Sequence, residues 1–239
     1  MLLGGEYVRM WPYFAQDGVV QKGNLIILVI CQLISTTGSI VVVTLGGIIG
    51  ARLSSNMALS TLPVSMMVVA VAATTIPAAM LMRKIGRSRG FALASLSAIL
   101  GVLLAVVALY RSSFELFIVA AMLFGVNMAF TQQYRYAAAE SVPSKFVPRA
   151  ISFVLLGSIG GAILGPELVT RGASWVPSIP YAGVMFTLAA LFSLQALLFL
   201  RLKGARESSA PQRAVASRAL GSIVRQPVFL VAVLGGTTG

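Results

Sequence analysis

Long apolar runs separated by short polar segments dominate the chain from residue 24 onward. A helix needs about 20 predominantly apolar residues to cross a bilayer. Six runs reach that length, at residues 24–50, 57–82, 91–110, 114–138, 150–170 and 179–200, and a seventh begins near residue 227 and is cut off at residue 239. The pattern predicts an all-α membrane protein with a six-helix transmembrane bundle (24–202) and the start of a seventh helix (227–239). Such a chain is expected to be the first half of a longer protein.

The composition also places the chain among membrane proteins. It is 58% hydrophobic and 10% charged, with a mean hydropathy of +0.93, whereas a soluble globular chain has about 25% charged residues. The net charge of +12 does not indicate nucleic-acid binding, because the cations lie in short clusters between apolar runs rather than along a polar face. We therefore expect the protein to be in contact with the lipid bilayer, and we expect no nucleic-acid partner.

The cations predict the orientation of the bundle. With both of its ends in the cytoplasm, only Arg52, Arg111 and Arg171 of the 18 cations lie in outer loops, which is the asymmetry that the positive-inside rule requires. The sequence therefore predicts a bacterial inner-membrane protein with a cytoplasmic N-terminal tail (1–23) and a basic cytoplasmic linker (203–226). Within the linker, residues 214–225 form either a short helix on the inner leaflet or a flexible connection. The cytoplasmic cations are Arg9, Lys22, Arg83, Lys84, Arg87, Arg89, Arg135, Lys145, Arg149, Arg201, Lys203, Arg206, Arg213, Arg218 and Arg225.

Several kinds of chemistry are excluded by residue type. The sequence contains no histidine and a single cysteine, Cys31, inside an apolar run. These counts exclude Ser-His and Cys-His catalysis, a His-ligated zinc site and a disulfide framework. No acidic residue lies in the middle of a predicted span, and no G-x-x-x-x-G-K-[ST] phosphate loop occurs. We therefore expect neither an enzyme nor a nucleotide-driven pump, and no metal or cofactor.

The segment between the second and third runs, residues 83–89, is the most basic short stretch between two runs. Charged side chains are costly at the bilayer centre, so this segment must lie in water. Gly86 suits a tight connection because glycine adopts the positive φ that a Cβ penalises. Arginine side chains here can interact with helix C-termini and pair with carboxylates on neighbouring loops.

This segment resembles the signature of the major facilitator superfamily between its second and third helices, broadly G-x-L-x-D-R-x-G-R-R. Arg83 stands where that family has an acid, and Ala79 where it has the first glycine. Leu81, Lys84, Gly86, Arg87 and Ser88 fall on the remaining positions; Gly86 and Arg87 match in identity, and Lys84 and Arg89 keep the basic character. The resemblance implies the N-terminal half of a secondary transporter that moves a small solute by alternating access. It also implies a C-terminal six-helix half as partner, with Gly86, Arg87 and Arg89 as gating residues.

Glycines recur at spacing four in the fifth run, at Gly157, Gly161 and Gly165, and Pro166 follows. Such a stripe forms a flat helix face that another helix can approach closely, and a proline inside a helix removes a backbone hydrogen bond and favours a kink. The run resembles the family's glycine-rich motif that ends in Gly-Pro, which implies a helix that rocks against its partner. Ordinary close packing without gating is the alternative interpretation.

Polar residues form one helical face in each of two runs. They are Gln32, Ser35, Thr36 and Ser39 in the first run and Asn127, Thr131, Tyr134 and Arg135 in the fourth. The family resemblance makes these runs the corresponding helices of two three-helix repeats and places both beside the central cavity. We interpret the two stripes as a substrate surface. Hydrogen bonding between helices without a ligand is the alternative.

Few charges are placed to act on a substrate or a coupling ion. Arg135 can attract an anionic substrate, pair with Glu140, or extend to lipid headgroups. If transport is coupled to protons, Glu140 or Glu167, both near span boundaries, would carry the proton, or the acid lies in a second half. The alternative to a transporter is a non-transporting membrane scaffold or assembly factor built on the same fold.

Overall fold

The computed structural model describes residues 22–54, 56–142, 144–176 and 181–202, and within these ranges the regular structure is helical. The α-helices are α1 (Lys22–Leu53), α2 (Leu62–Ile85), α3 (Arg87–Arg111), α4 (Phe114–Thr131), α5 (Tyr134–Glu140), α6 (Val147–Gly172) and α7 (Ala182–Arg201). Short 3₁₀ turns at Met57–Leu59 and Ser144–Phe146 precede α2 and α6. The predicted linker and seventh helix, and residues 1–21 of the predicted tail, lie outside the described residues.

Six stretches of the described chain are long and apolar enough to cross a membrane. They are α1, α2 with its preceding turn, α3, α4 and α5 together, α6 with its preceding turn, and α7. The predicted six-helix membrane bundle is therefore confirmed. The fourth span differs from the single helix that was predicted, because Gln132 and Gln133 interrupt it. The N–H of Gln133 donates to the carbonyl of Phe130 at 2.9 Å, a tighter three-residue spacing than that of an α-helix.

Local chemistry explains several helix ends. Gly86 alone joins α2 to α3, with φ 87° and ψ 158°, a conformation essentially restricted to glycine. Arg83 and Lys84 lie in the last turn of α2, where positive charge stabilises the helix dipole. Ser113 caps α4, because its hydroxyl accepts a hydrogen bond from the N–H of Leu116.

The helices pack in a reciprocal pattern. α1 lies mainly against α6, α2 against α4, and α3 against both α4 and α7. If α1–α3 and α4–α7 are taken as the two predicted three-helix units, the first helix of each unit packs on the second helix of the other. The third helices of the two units pack on each other.

One end of the bundle gathers the basic segment and two helix C-termini. The hydroxyl of Ser88 donates to the carbonyl of Phe199, near the end of α7, at 2.6 Å. Arg87 at the start of α3 pairs with Glu140 at the end of α5. We call this the basic end. The last turns of α1, α3 and α6, which hold Arg52, Arg111 and Arg171, form the opposite end.

The outward sides of α3 and α7 are apolar and exposed. Four leucines of α3 are 46 to 51% exposed, and α7 shows a similar row. These residues are Leu93, Leu96, Leu100 and Leu103 on α3 and Phe186, Leu194, Leu197 and Leu200 on α7. Lipid tails are as apolar as leucine, so such faces are stable in hydrocarbon although they would be unfavourable in water. The described bundle therefore has the surface of a membrane-embedded protein.

Candidate substrate surface

A group of uncharged polar side chains lies where α1 meets α6. The Nε2 of Gln32 donates to Thr36 Oγ1 at 3.2 Å and to Ser158 Oγ at 3.0 Å. All three side chains are half-buried. Both hydrogen bonds use the amide nitrogen of Gln32, and among the described residues none reaches its Oε1, which is a free acceptor for another molecule. We call Gln32, Thr36 and Ser158 the polar cluster.

The glycine stripe of α6 makes this contact close. A Cβ at Gly157 would lie 2.5 Å from a backbone oxygen of α1, and one at Gly161 would lie 2.7 Å from another. At Gly165 the added Cβ would be 2.8 Å from the side chain of Ile40. Because real Cβ atoms essentially never approach so closely, only glycines let α6 lie directly on α1 here. Ser158, next to Gly157, is thereby brought to Gln32, and the close-packing face expected from the sequence is present.

A second polar group is enclosed between four helices. Gln195 of α7 is fully buried, and its Nε2 donates to Ser95 Oγ at 2.9 Å and to the Tyr134 hydroxyl at 3.2 Å. Its Oε1 accepts a hydrogen bond from Ser35 Oγ at 3.0 Å. The ring of Phe91 meets that of Tyr134 edge-on, with centroids 4.8 Å apart. We call Ser35, Ser95, Tyr134 and Gln195 the buried network.

The first predicted stripe therefore divides between two environments. Ser35 is 1% exposed and belongs to the buried network. Gln32 and Thr36 belong to the polar cluster, and Ser39 is half-buried with its hydroxyl donating to the carbonyl of Ser35 at 2.9 Å. With 3.6 residues per turn, Gln32, Thr36 and Ser39 border the same partly exposed side of α1. These three residues are the part of the stripe that another molecule can reach.

The second predicted stripe lies largely inside the bundle. Asn127 is 4% exposed, and its side-chain amide donates to the carbonyl of Ala94 on α3 at 2.9 Å. Thr131 is half-buried and donates to the carbonyl of Asn127 at 3.1 Å, and Tyr134 lies in the buried network. Asn127 and Tyr134 thus hydrogen-bond helices together in the described half. Of this stripe, Thr131 and Arg135 reach the surface.

Arg135 does not pair with Glu140, which was one of the three alternatives for its role. Arg135 donates to Gln132 Oε1 at 3.2 Å, whereas Glu140 accepts two hydrogen bonds from Arg87, one of them from Nε at 2.6 Å. The reason is helical geometry, because side chains five residues apart do not face each other while those three or four apart do. The expected pairing of the basic segment with a neighbouring carboxylate is found instead.

The remaining predicted functional residues lie at the surface. Glu167 pairs with Arg171 one turn later at 2.6 Å, with both side chains more than half exposed. Pro166 lies inside α6 and is exposed, as is Arg89 in the first turn of α3. Both acids considered for proton coupling, Glu140 and Glu167, are therefore exposed and ion-paired with arginine.

The predicted stripes leave out Ser95, Ser158 and Gln195. Each is a polar residue without a polar periodic face around it, so the stripe pattern does not mark it. The usable signal is depth, since a polar side chain well inside a membrane span must bond to another helix or face a cavity. Gln195 lies within the sixth apolar run and carries that signal most clearly.

Comparison with known proteins reveals clear relatives. The riboflavin transporter RfnT of Brucella anthropi is similar at 33% identity over 222 residues, which covers 92% of this chain and 56% of RfnT. The uncharacterized MFS-type transporters YdeG and YddS of Bacillus subtilis are 30% and 28% identical, over 76% and 66% of this chain and 43% and 36% of their own lengths. The chain thus spans about half the length of the curated relatives it matches, or less.

The family of the chain is identified by a family model that matches most of its residues. No solved structure matches the sequence significantly. The polar cluster consists of amide and hydroxyl groups, which donate and accept hydrogen bonds without a net charge, and it lies between two of the six apolar spans. The model of the Major Facilitator Superfamily matches residues 26–239. The resemblance seen in the sequence is confirmed, and the chain belongs to the major facilitator superfamily, a family of membrane transporters rather than enzymes.

Proposed function

We propose that the protein moves a small solute across the membrane as a secondary transporter by alternating access. In this proposal the six-helix bundle is one half, and a C-terminal six-helix half is its partner. The observation that carries the proposal is the polar cluster of Gln32, Thr36 and Ser158, in which hydrogen-bonding groups lie inside membrane-spanning helices. Polar groups there are unfavourable unless they bond to one another or to a solute.

For the solute we propose riboflavin or a related neutral heteroaromatic compound with hydroxyl groups. The similarity to RfnT supports this choice, and the uncharged chemistry of the cluster supports it independently. Gln32 Oε1 can accept from the imide N–H of an isoalloxazine ring, while the hydroxyls of Thr36, Ser39 and Ser158 can exchange hydrogen bonds with a ribityl chain. Thr131 and Arg135 would complete the surface from the fourth span.

The gating residues form two groups in this proposal. The stripe of Gly157, Gly161 and Gly165 would let α6 move on α1 without interlocking side chains, and Pro166 would give α6 a point of bending. At the basic end, Gly86 would act as the joint between α2 and α3. Arg87 would hold α3 to α5, and the exposed Arg89 would contact the second half.

We place the basic end in the cytoplasm of a bacterial cell, with the protein in the inner membrane. Most described cations lie at that end, as the positive-inside rule requires. These are Arg83, Lys84, Arg87, Arg89, Arg135, Lys145, Arg149 and Arg201, against Arg52, Arg111 and Arg171 at the opposite end.

If transport is coupled to protons, we propose that Glu140, Glu167 or an acid of the second half carries the proton. Replacement of Glu140 and of Glu167 by glutamine tests the first two, because an acid that carries the coupling proton is required for uptake against a gradient but not for solute exchange. Exchange without gradient-driven uptake in one variant identifies that acid. Normal gradient-driven uptake in both variants excludes the two residues.

Riboflavin uptake by the full-length protein in membrane vesicles, with and without a proton gradient, tests the transport function. Gln32→Ala and Ser158→Ala should weaken riboflavin binding about fivefold each, the effect of losing roughly one hydrogen bond. Ser152→Ala is the matched control on the same helix, since among the described residues its exposed hydroxyl bonds only to the carbonyl of Pro148. Unchanged affinity with reduced stability would show that the cluster only holds helices together. No transport of any solute by the folded protein would contradict the proposal and favour a scaffold.

A further inference from the structure

Gln195 lies at the centre of the buried network and reaches no surface. We propose that Gln195 is a positioning residue for the substrate surface, because its side-chain amide fixes the rotation of α1 and of α5 about their own axes. The directions in which Gln32, Thr36 and Arg135 face would follow from that rotation. This inference rests on the proposed transport function and assigns a role to a residue that makes no contact with the solute.

Gln195 forms hydrogen bonds to three other helices at once. One amide bonds to Ser35 on α1, Ser95 on α3 and Tyr134 on α5, at 2.9 to 3.2 Å. The group uses its oxygen and both amide hydrogens in these bonds. Rotation of any one of the three helices would stretch a bond that cannot be replaced by water, because the side chain is fully buried.

On α1, the glycine stripe explains why a further contact is needed to fix the rotation of the helix. Gly157 and Gly161 lie closest to backbone oxygens of α1, and Gly165 lies against the side chain of Ile40. Because the glycines have no side chains that could interlock with α1, this contact resists rotation of α1 weakly. Ser35 flanks the same face of α1, about 60° around the helix axis from Gln32 and about 100° from Thr36. Its bond to Gln195 therefore sets how far Gln32 and Thr36 turn toward the partly exposed side.

On the fourth span, the interruption at Gln132 and Gln133 also means that a further contact is needed to fix the rotation of α5. The tightened turn breaks the regular hydrogen-bond ladder between α4 and α5, so α4 alone does not determine the rotation of α5. Tyr134 is the first residue of α5, and its hydroxyl bonds to Gln195. Arg135 is the next residue, and its direction at the surface follows from that of Tyr134.

A purely structural role would not require an amide at this position. If its hydroxyl partners were apolar as well, a leucine of similar volume could fill the space without the desolvation that a buried amide undergoes, and such joint replacement of polar partners is often nearly neutral for stability. An apolar side chain cannot fix the rotation of a helix about its axis in this way, because hydrophobic contacts are not directional. The prediction is therefore a change in binding geometry in addition to the loss of stability that follows when buried hydroxyls lose their amide partner.

The test compares Gln195→Leu and Ser35→Ala with the control Ser95→Ala in the full-length protein. Ser95→Ala also removes a buried hydrogen bond to Gln195, but on α3, which carries no substrate residue. We expect the first two variants to raise the KM for riboflavin about fivefold with little change in maximal rate. The double variant should fall short of the product of the two single effects, because both remove the Ser35–Gln195 bond, and Ser95→Ala should stay within about twofold of wild type.

A second readout does not depend on the solute. A cysteine placed at Thr36 in a Cys31→Ala background reports the direction of α1 through its rate of reaction with a water-soluble maleimide. That rate should change in Gln195→Leu and Ser35→Ala and stay constant in Ser95→Ala. If the wild-type protein transports no riboflavin, the proposed function fails while this labelling pattern still decides the positioning role.

Two results would overturn the inference. Equal effects of all three variants on KM and labelling would show that the network acts as general packing. Lower stability with unchanged KM and labelling would show that Gln195 only stabilises the bundle. If Gln195→Leu does not fold, Ser35→Ala against Ser95→Ala gives the same decision, because Ser35→Ala removes the α1 bonds of the network, to Gln195 and, at 3.4 Å, to the Tyr134 hydroxyl.

Discussion

At Gly86 the chain passes from α2 to α3 through one residue with φ 87° and ψ 158°. This conformation predicts that a residue with a Cβ is poorly tolerated at this position. Gly86→Ala should lower the free energy of unfolding by about 1–3 kcal/mol, because a Cβ is strained in this conformation even where space is available. Thermal unfolding of the purified protein measures the effect. Gly47→Ala is the matched control, since an added Cβ also meets nothing within 4 Å there, but no positive φ is present. Equal shifts in Tm for both variants would contradict the explanation.

Single residues also show which features of the site the sequence predicts and which it does not. The uncharged polar character of the first stripe is visible in the sequence, and Gln32, Thr36 and Ser39 do reach a partly exposed side of α1. Ser35 and Asn127 share those stripes yet point into the bundle, because the buried arc of a helix is set by which neighbours pack on it. The partner Gln195, 160 positions from Ser35, cannot be identified from local periodicity.

At the scale of elements, the contact between α1 and α6 yields the next prediction. Gly161→Ala should destabilise the protein by about 1–3 kcal/mol, because its Cβ would lie 2.7 Å from a backbone oxygen and force the helices apart. Transport should also fall, since Ser158 would move away from Gln32. Gly160→Ala is the neighbouring control, where the nearest atom is the flexible end of Leu33 at 3.0 Å. A control as harmful as Gly161→Ala would show that close helix approach is not the cause.

The ion pair between α3 and α5 gives a prediction of a different kind. The Arg87 and Glu140 side chains are 26% and 54% exposed, so their pairing should contribute less than about 1 kcal/mol to stability. Arg87→Glu places two acids together and should reduce transport more than it reduces Tm. The exchange of both charges, Arg87→Glu with Glu140→Arg, should restore part of the transport. Failure of the double exchange to exceed the single variant would show that the two residues act separately.

The elements themselves are the most predictable part of the fold. Hydropathy and cation placement locate the six spans, because the bilayer fixes the length and polarity of each crossing. The interruption between α4 and α5 has no such signal, since Gln132 and Gln133 are ordinary helix formers. The pairing of α1 with α6 is only suggested by the glycine stripe, which shows that some helix approaches closely without showing which.

For the whole molecule, burial is unevenly distributed among the spans. The most apolar windows of α2 and α6 are 17% and 22% buried, against 39 to 44% in the other four spans. These two helices are the ones that pack on α4 and α1, the helices with the predicted polar stripes. In the proposed transporter, a second half would cover part of this open side and enclose the polar cluster. The sequence predicts the bundle, but no pattern within one half shows which faces a second half would cover.

Orientation is the last property of the whole molecule that can be tested directly. We expect a cysteine at Arg111, exposed at the opposite end, to react with a membrane-impermeant maleimide added to intact cells. A cysteine at Arg89, exposed at the basic end, should react only after the cells are permeabilised, because the positive-inside rule keeps that end in the cytoplasm. Both variants are made with Cys31→Ala, although Cys31 is itself buried. Labelling of the Arg89 position in intact cells, with the Arg111 position protected, would reverse the proposed orientation and move the basic end outside.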